Sequence, residues 1–149
     1  MNSKMIKRLL DACFVAKRIT ETMEELPKGM KPRHFHVIDA IYEQKILFGK
    51  ARVSDVSKRL NVTTPSVTKL INDLEAMGVV EKYVTEDDKR VTLLRLTEKG
   101  DAYERHYVTE YHTEWARQLT DVTDTQAQNA IIVIQKLQRA MPTRRQPNE

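Results

Sequence analysis

Cysteine occurs once in these 149 residues, at Cys13. No intramolecular disulfide can staple the fold, and a reducing compartment is implied. Glycine is nearly as scarce, with four residues. None of them stands in a Gly-rich phosphate loop or a nucleophile elbow, and no carboxylate pair sits in a catalytic context. The histidines lack metal-site spacing. His34 and His36 are two apart, which puts them on different sides of a helix, and His106 and His112 are six apart, so ordinary surface or interface histidines are expected. No apolar run approaches the roughly 20 residues of a membrane span. Behind the basic start, Asp11, Lys17 and Arg18 interrupt any signal-peptide core. The reading is a cytoplasmic protein without enzyme motif, metal or cofactor. There are no repeats or low-complexity tracts.

What is present is charge and helical periodicity. Lys and Arg number 25 against 21 Asp and Glu, a formal net charge of +4. That balance permits nucleic-acid binding, and the placement of the basic groups decides whether it matters. Residues 3–26 repeat apolar side chains at steps of three and four (Ile6, Leu9, Leu10, Cys13, Ala16 or Lys17, Ile19, Met23), which predicts an amphipathic helix ending before "LPKGMKP". A second helix takes up the pattern through Val37, Ile38, Ile41 and Tyr42 and stops near Gly49. "VSDVSKRL" is a short helix with Val53, Val56, Ser57 and Leu60 on one face, and Asn61 suits the left-handed cap after it.

The segment "NVTTPSVTKLINDLE" opens with a run of hydroxyls. With Thr64 as N-cap and Pro65 at the first helical position, Pro65 loses no hydrogen bond. Val67, Leu70, Ile71, Leu74 and Met77 then form the buried stripe, and Gly78 is the stop. The opposite side carries Ser66, Thr68, Lys69 and Asn72, with Thr63 and Thr64 at the tip, and no carboxylate before Asp73. Short hydroxyls and a lysine beside unpaired helix N–H groups suit phosphate oxygens and base edges of a major groove. Two β-rich runs follow, "VVEKYV" and "VTLLRL", joined by "TEDDKR" as a hairpin. Its loop carries Lys89 and Arg90 toward a neighbouring minor groove or backbone; Glu86, Asp87 and Asp88 oppose this unless an acid holds the arginine in place. Helix, tight turn, helix and hairpin in that order make a winged helix-turn-helix.

The run from "VSDVSKRL" to "LRLTEKG" resembles the MarR family of winged-helix transcriptional regulators. The resemblance covers the central half of the chain and rests on "TPSVTKLINDLEAMGVVEK", the Asp88-Lys89-Arg90 wing and "LRLTEKG" together. It implies a mainly α fold with a small β component (α+β): N- and C-terminal dimerisation helices around the winged module, and a homodimer on pseudo-palindromic double-stranded DNA. It implies that Arg90 enters the minor groove, that Asp88 orients it, and that Thr64, Ser66, Thr68 and Lys69 meet the major groove. Arg52 departs from the pattern, since family members often carry a capping Thr there.

Residues 1–32 are accordingly expected as an N-terminal dimerisation helix and 33–97 as the DNA-binding lobe. Residues 98–141 are expected as C-terminal dimerisation helices and 142–149 as a disordered tail. The helix after Thr97 reaches about Thr120 with a stripe of Tyr103, Tyr107, Tyr111, Trp115 and Leu119. The last helix, near Asp124 to Met141, carries Ala127, Ala130, Ile131, Ile134, Leu137 and Met141. The apolar stripes of the first and last helices exceed what a module of about 65 residues can cover, which independently points to a dimer. The aromatic stripe reads as core or interface and is a candidate lining for a small aromatic effector. Cys13, in "DACFVAK", is a candidate redox sensor because some family members sense hydroperoxides through a Cys-Phe pair. Those members carry a tyrosine where this chain has Lys17. The function implied is a sequence-specific DNA-binding regulator, a repressor released by a ligand or an oxidant. The alternative is a winged module used for protein contacts.

Overall fold

The computed structural model describes residues 1–23 and 25–141, in two compact units that divide after Tyr111. In the first unit, Asn2 caps α1 (Ser3–Glu21), its Oδ1 accepting the Met5 N–H at 2.9 Å. The helix stops at Glu21, not at 26: Thr22 turns extended, and its hydroxyl donates to the Arg18 carbonyl. No residue of α1 is buried, and Phe14 is 71% exposed. Helix α2 (Pro32–Phe48) begins with a proline, where a missing N–H costs nothing, and ends at Gly49 in the left-handed conformation. His34, Phe35, Val37, Ile38, Ala40 and Ile41 are all buried, so α2 is enclosed on more than one face.

Strand β1 (Ala51–Arg52) escapes sequence reading because two residues cannot show an alternation. It exists by pairing with β3 (Leu93–Leu96), Ala51 opposite Leu94, and β3 pairs on its other side with β2 (Val80–Tyr83). The sheet is antiparallel in the order β1-β3-β2. Helix α3 (Val53–Leu60) has the expected bounds. Its missing Thr cap is replaced from the other side: the Asp55 carboxylate accepts the Arg52 N–H at 3.1 Å. Helix α4 (Thr64–Ala76) starts one residue earlier than expected. Its N-cap is Thr63, because the Thr63 carbonyl accepts the first helical bond, from the Val67 N–H. At the far end, Val79 N–H reaches the Leu74 carbonyl and Gly78 N–H the Glu75 carbonyl, a closure that needs the left-handed φ of Gly78.

One apolar cluster joins Phe35, Ile38 and Ile41 of α2 to Val56 of α3, Val67, Ile71 and Leu74 of α4, and Val80 and Leu94 of the sheet. Helix α5 (Glu98–Glu104) is capped by Thr97, whose hydroxyl accepts the Gly100 N–H and donates to the Gly78 carbonyl. It continues through a π-helical turn (Arg105–Glu110). There the Thr109 hydroxyl donates to the buried Glu104 carboxylate, a pair five residues apart that the π register brings onto one face. Tyr103 and Tyr107 pack on Phe35 at 6.1 and 4.9 Å between ring centroids, so this end of the aromatic stripe is core.

From residue 112 the second unit holds most of α6 (Tyr111–Gln118) and all of α7 (Asp124–Arg139). Thr123 and Gln126 form a reciprocal cap at the start of α7. None of its residues is buried, and Ile131 and Ile134 are exposed. The tail at 142–149 lies outside the described residues. Among the described residues no helix is long and apolar enough to cross a membrane.

A Cβ on Gly100 would run into the Val79 carbonyl, which already accepts the Thr97 N–H. Gly100→Ala is therefore expected to lower the stability of the lobe by about 1–3 kcal/mol, measured by urea denaturation. An unchanged midpoint would show that α5 can move away without cost.

Candidate nucleic-acid interface

The local sequence fixes the turn between α3 and α4. Asn61 adopts φ 53°, ψ 44°, a conformation its short amide tolerates. Val62 N–H then reaches back to the Ser57 carbonyl, and the Ser57 hydroxyl donates to the Val62 carbonyl at 2.6 Å. Ser57 Oγ in turn accepts from Thr64 at 3.4 Å. The Thr63 hydroxyl donates to Ser66 Oγ at 2.9 Å, which leaves the Ser66 proton available outward. The hydroxyl run thus has two jobs: it closes the turn, and it lines the tip of α4.

Thr63, Thr64, Ser66, Lys69 and Asn72 are exposed on α4, and Thr68 is half-buried. The first turn of α4 carries no acid. Asn72 is engaged from the wing: Lys82 Nζ donates to its Oδ1 at 2.5 Å and lies 3.8 Å from Glu75. The loop after β2 projects Lys89 and Arg90 into solvent. The Arg90 side chain is 93% exposed, and the Asp88 carboxylate accepts from its backbone N–H at 3.1 Å and its Nε at 3.3 Å. Asp88 thereby faces its own arginine and leaves the outer guanidinium nitrogens pointing away. Glu86 and Asp87 are exposed beside it.

Several supports lie outside any sequence motif. Arg95 pairs with Glu81 at 2.8 Å and lies over the Tyr83 ring at 4.7 Å, bracing the base of the wing. Lys99 Nζ donates to the Met77 carbonyl at 2.9 Å and closes the C-terminal end of α4. Arg59 of α3 pairs with Glu43 and Asp39 of α2. His34, expected among ordinary surface or interface histidines, is buried and bonded to Asp73 of α4. Only the three-dimensional fold brings these partners together.

Beside α4 lies a cavity of about 320 Å³. Lys17 and Thr20 of α1, Arg33 and His36 of α2, and Leu60, Ser66 and Leu70 line it, with Arg33 held 3.6 Å from Glu21. None of the aromatic-stripe residues contributes to it. Cys13 is a free, partly exposed thiol on α1.

A profile described as "MarR family" matches residues 28–91, from before α2 to the wing. The chain is 26% identical over 145 residues to the HTH-type transcriptional repressor MdtR of Bacillus subtilis, covering 96% of this chain and 90% of that one. Among solved structures it is similar to Streptococcus pneumoniae FabT in complex with DNA, with TM-score 0.65 and 25% identity over 93% of this chain and 96% of that one. It shares the fold of Bordetella bronchiseptica BpsR, whose DNA binding is regulated by 6-hydroxynicotinic acid, with TM-score 0.61 and 18% identity over 91% and 96% of the two chains.

Ser57 closes the turn through its side chain as well as its backbone, so Ser57→Ala is expected to cost about 1 kcal/mol of stability in urea denaturation. Wild-type stability in that variant would mean that the Val62-to-Ser57 backbone bond alone holds the turn.

Proposed function

Because the chain belongs to the MarR family of non-enzymatic, winged helix-turn-helix transcriptional regulators, we propose that it represses transcription as a homodimer. In this reading α4 of each copy enters a major groove and Arg90 of each wing enters the adjoining minor groove. Two recognition helices must then lie about 34 Å apart to fit a pseudo-palindromic site. The observation that carries the reading is the face of α4. Thr64, Ser66, Thr68 and Lys69 stand at a helix N-terminus whose first turn holds no acid, the chemistry that phosphate oxygens and base edges require.

The dimer is supported by each terminal helix taken by itself. Helix α1 leaves Leu10, Phe14, Val15 and Ile19 exposed, and α7 leaves Ile131 and Ile134 exposed. Stripes of that kind find cover in a second copy of the chain, with 1–32 and 98–141 as the dimerisation segments and 33–97 as the DNA-binding lobe.

Release is assigned to a small organic acid bound in the cavity beside α4. Lys17 and Arg33, the latter shared with Glu21, offer cationic partners for a carboxylate, His36 offers a ring nitrogen, and Leu60 and Leu70 offer apolar walls for a ring. The regulation of BpsR by 6-hydroxynicotinic acid lends support by likeness of fold. Oxidation of Cys13 is the second route, and the cationic lining favours the ligand.

The test begins with binding-site selection from random duplex DNA, followed by anisotropy titrations of the selected site at several salt concentrations. A palindrome bound by a dimer is expected. Lys69→Ala and Arg90→Ala should each weaken binding and lower the salt slope by about 0.9 per lost phosphate contact. Unchanged binding in both variants would move the protein-contact reading to the front.

For the effector, 6-hydroxynicotinate serves as the probe, with titration calorimetry and release of bound DNA as readouts. Binding to the wild type that a Lys17→Ala, Arg33→Ala double variant loses is expected. Equal binding by both would place the effector elsewhere.

A further inference from the structure

The first acid along α4 is Asp73, and a buried histidine holds it. His34 stands in the first turn of α2 with its side chain 3% exposed. Its Nδ1 lies 2.9 Å from the Lys31 backbone nitrogen. An amide nitrogen can only donate, so Nδ1 accepts and the ring proton belongs on Nε2. Nε2 therefore donates to Asp73 Oδ2, 3.1 Å away and 39 residues on in sequence. The ring cannot turn without giving up both bonds.

Asp73 is four residues after Lys69, so on a helix the two side chains are neighbours on one face. A carboxylate there lies within reach of the lysine ammonium. The structure shows another arrangement: Asp73 is drawn toward α2, and among the described residues no carboxylate partners Lys69. We propose that His34 is a positioning residue for DNA binding, holding the Asp73 carboxylate inward so that Lys69 stays available to a phosphate. This rests on the assignment of α4 as the DNA-reading helix.

Two substitutions separate the bonds of the ring. His34→Asn keeps an oxygen near the Nδ1 position, so the Lys31 contact survives, but the side chain is too short to reach Asp73. His34→Gln carries an N–H out to the Nε2 position. Anisotropy titrations of the selected operator across salt, with a circular-dichroism melt for each variant, supply the test. His34→Asn is expected to weaken operator binding in the same direction as Lys69→Ala and to lower the salt slope by part of the roughly 0.9 that one phosphate contact is worth. His34→Gln is expected to stay within about twofold of the wild type. The double variant His34→Asn, Asp73→Asn is expected to recover wild-type slope and affinity, because no carboxylate remains to capture the lysine.

A wild-type slope in His34→Asn, or a double variant no better than the single one, would overturn the proposal while leaving the DNA reading intact. A Lys69→Ala variant with unchanged slope would overturn the proposal at its premise, and the DNA reading falls with it only if Arg90→Ala is unchanged as well. Should His34→Asn fail to fold, imidazole ¹⁵N shifts of the wild-type protein decide: a proton on Nε2 supports the arrangement, and a proton on Nδ1 refutes it.

Discussion

The seating of α4 on α2 is the contact on which the remainder of the lobe depends. Val67, Ile71 and Leu74 of α4 join Phe35, Ile38 and Ile41 of α2 in one cluster, and all six are essentially solvent-free. Each such side chain contributes about 1.5–3 kcal/mol of burial. An exposed ion pair such as Arg59 with Glu43 contributes about 0–1 kcal/mol. The apolar seat therefore decides whether the lobe folds, and the polar bonds at its rim decide how α4 is turned within it. His34, Lys82 and Lys99 act at three points of that rim: on the flank of α4, on its exposed face and at its C-terminal end.

The turn before α4 imposes a second constraint, because a helix is only as well placed as its entry. Asn61 supplies a backbone conformation that most residues resist, and Ser57 ties both ends of the turn together. This accounts for the β-branched, hydroxyl-rich start of α4, which helix propensity alone disfavours. Val62, Thr63 and Thr64 serve the approach to the helix, and regular helical packing begins only with Val67. A local conflict with propensity at a functional terminus is where a sequence is expected to break the usual rules.

Much of this was legible from local pattern. The bounds of α3, the left-handed Asn61 and the stop at Gly78 each follow from a signal a few residues wide, as does the hairpin, whose strands Val80–Tyr83 and Leu93–Leu96 are shorter than the two β-rich runs. The sequence places the cap of α4 one residue late because Thr63 and Thr64 are chemically equivalent candidates, and only the Val67 hydrogen bond distinguishes them. Strand β1 and the π-helical turn were invisible for another reason. One is a product of pairing with Leu93 and Leu94, and the other shows itself only where the exposed Thr109 meets the buried Glu104 five residues back. The candidate DNA face could be read because it lies on one helix and one loop. The cavity could not, since Lys17, Arg33 and Ser66 come from three separate helices. The burial of His34 is hidden from the sequence because its partner is 39 residues away, and no spacing rule connects a histidine in one helix to an aspartate in another.

The place of the cavity also bears on how a lobe this small can be switched. A ligand shifts an equilibrium only by the difference in its affinity for the two states. A hundredfold fall in DNA affinity asks for about 2.8 kcal/mol of such difference. A site remote from α4 would have to pass that energy through intervening packing. Ser66 and Leu70 belong to α4 itself and form part of the cavity wall, while Arg33 and His36 belong to α2, the helix on which α4 is seated. A ligand bridging those walls acts directly on the distance and rotation between the two helices. The apolar seat resists continuous deformation, so the accessible response is a change in how α4 is turned. Rotation of a groove-reading helix misaligns every contact along its face at once, and several weak losses then sum to the required energy without any one bond being large.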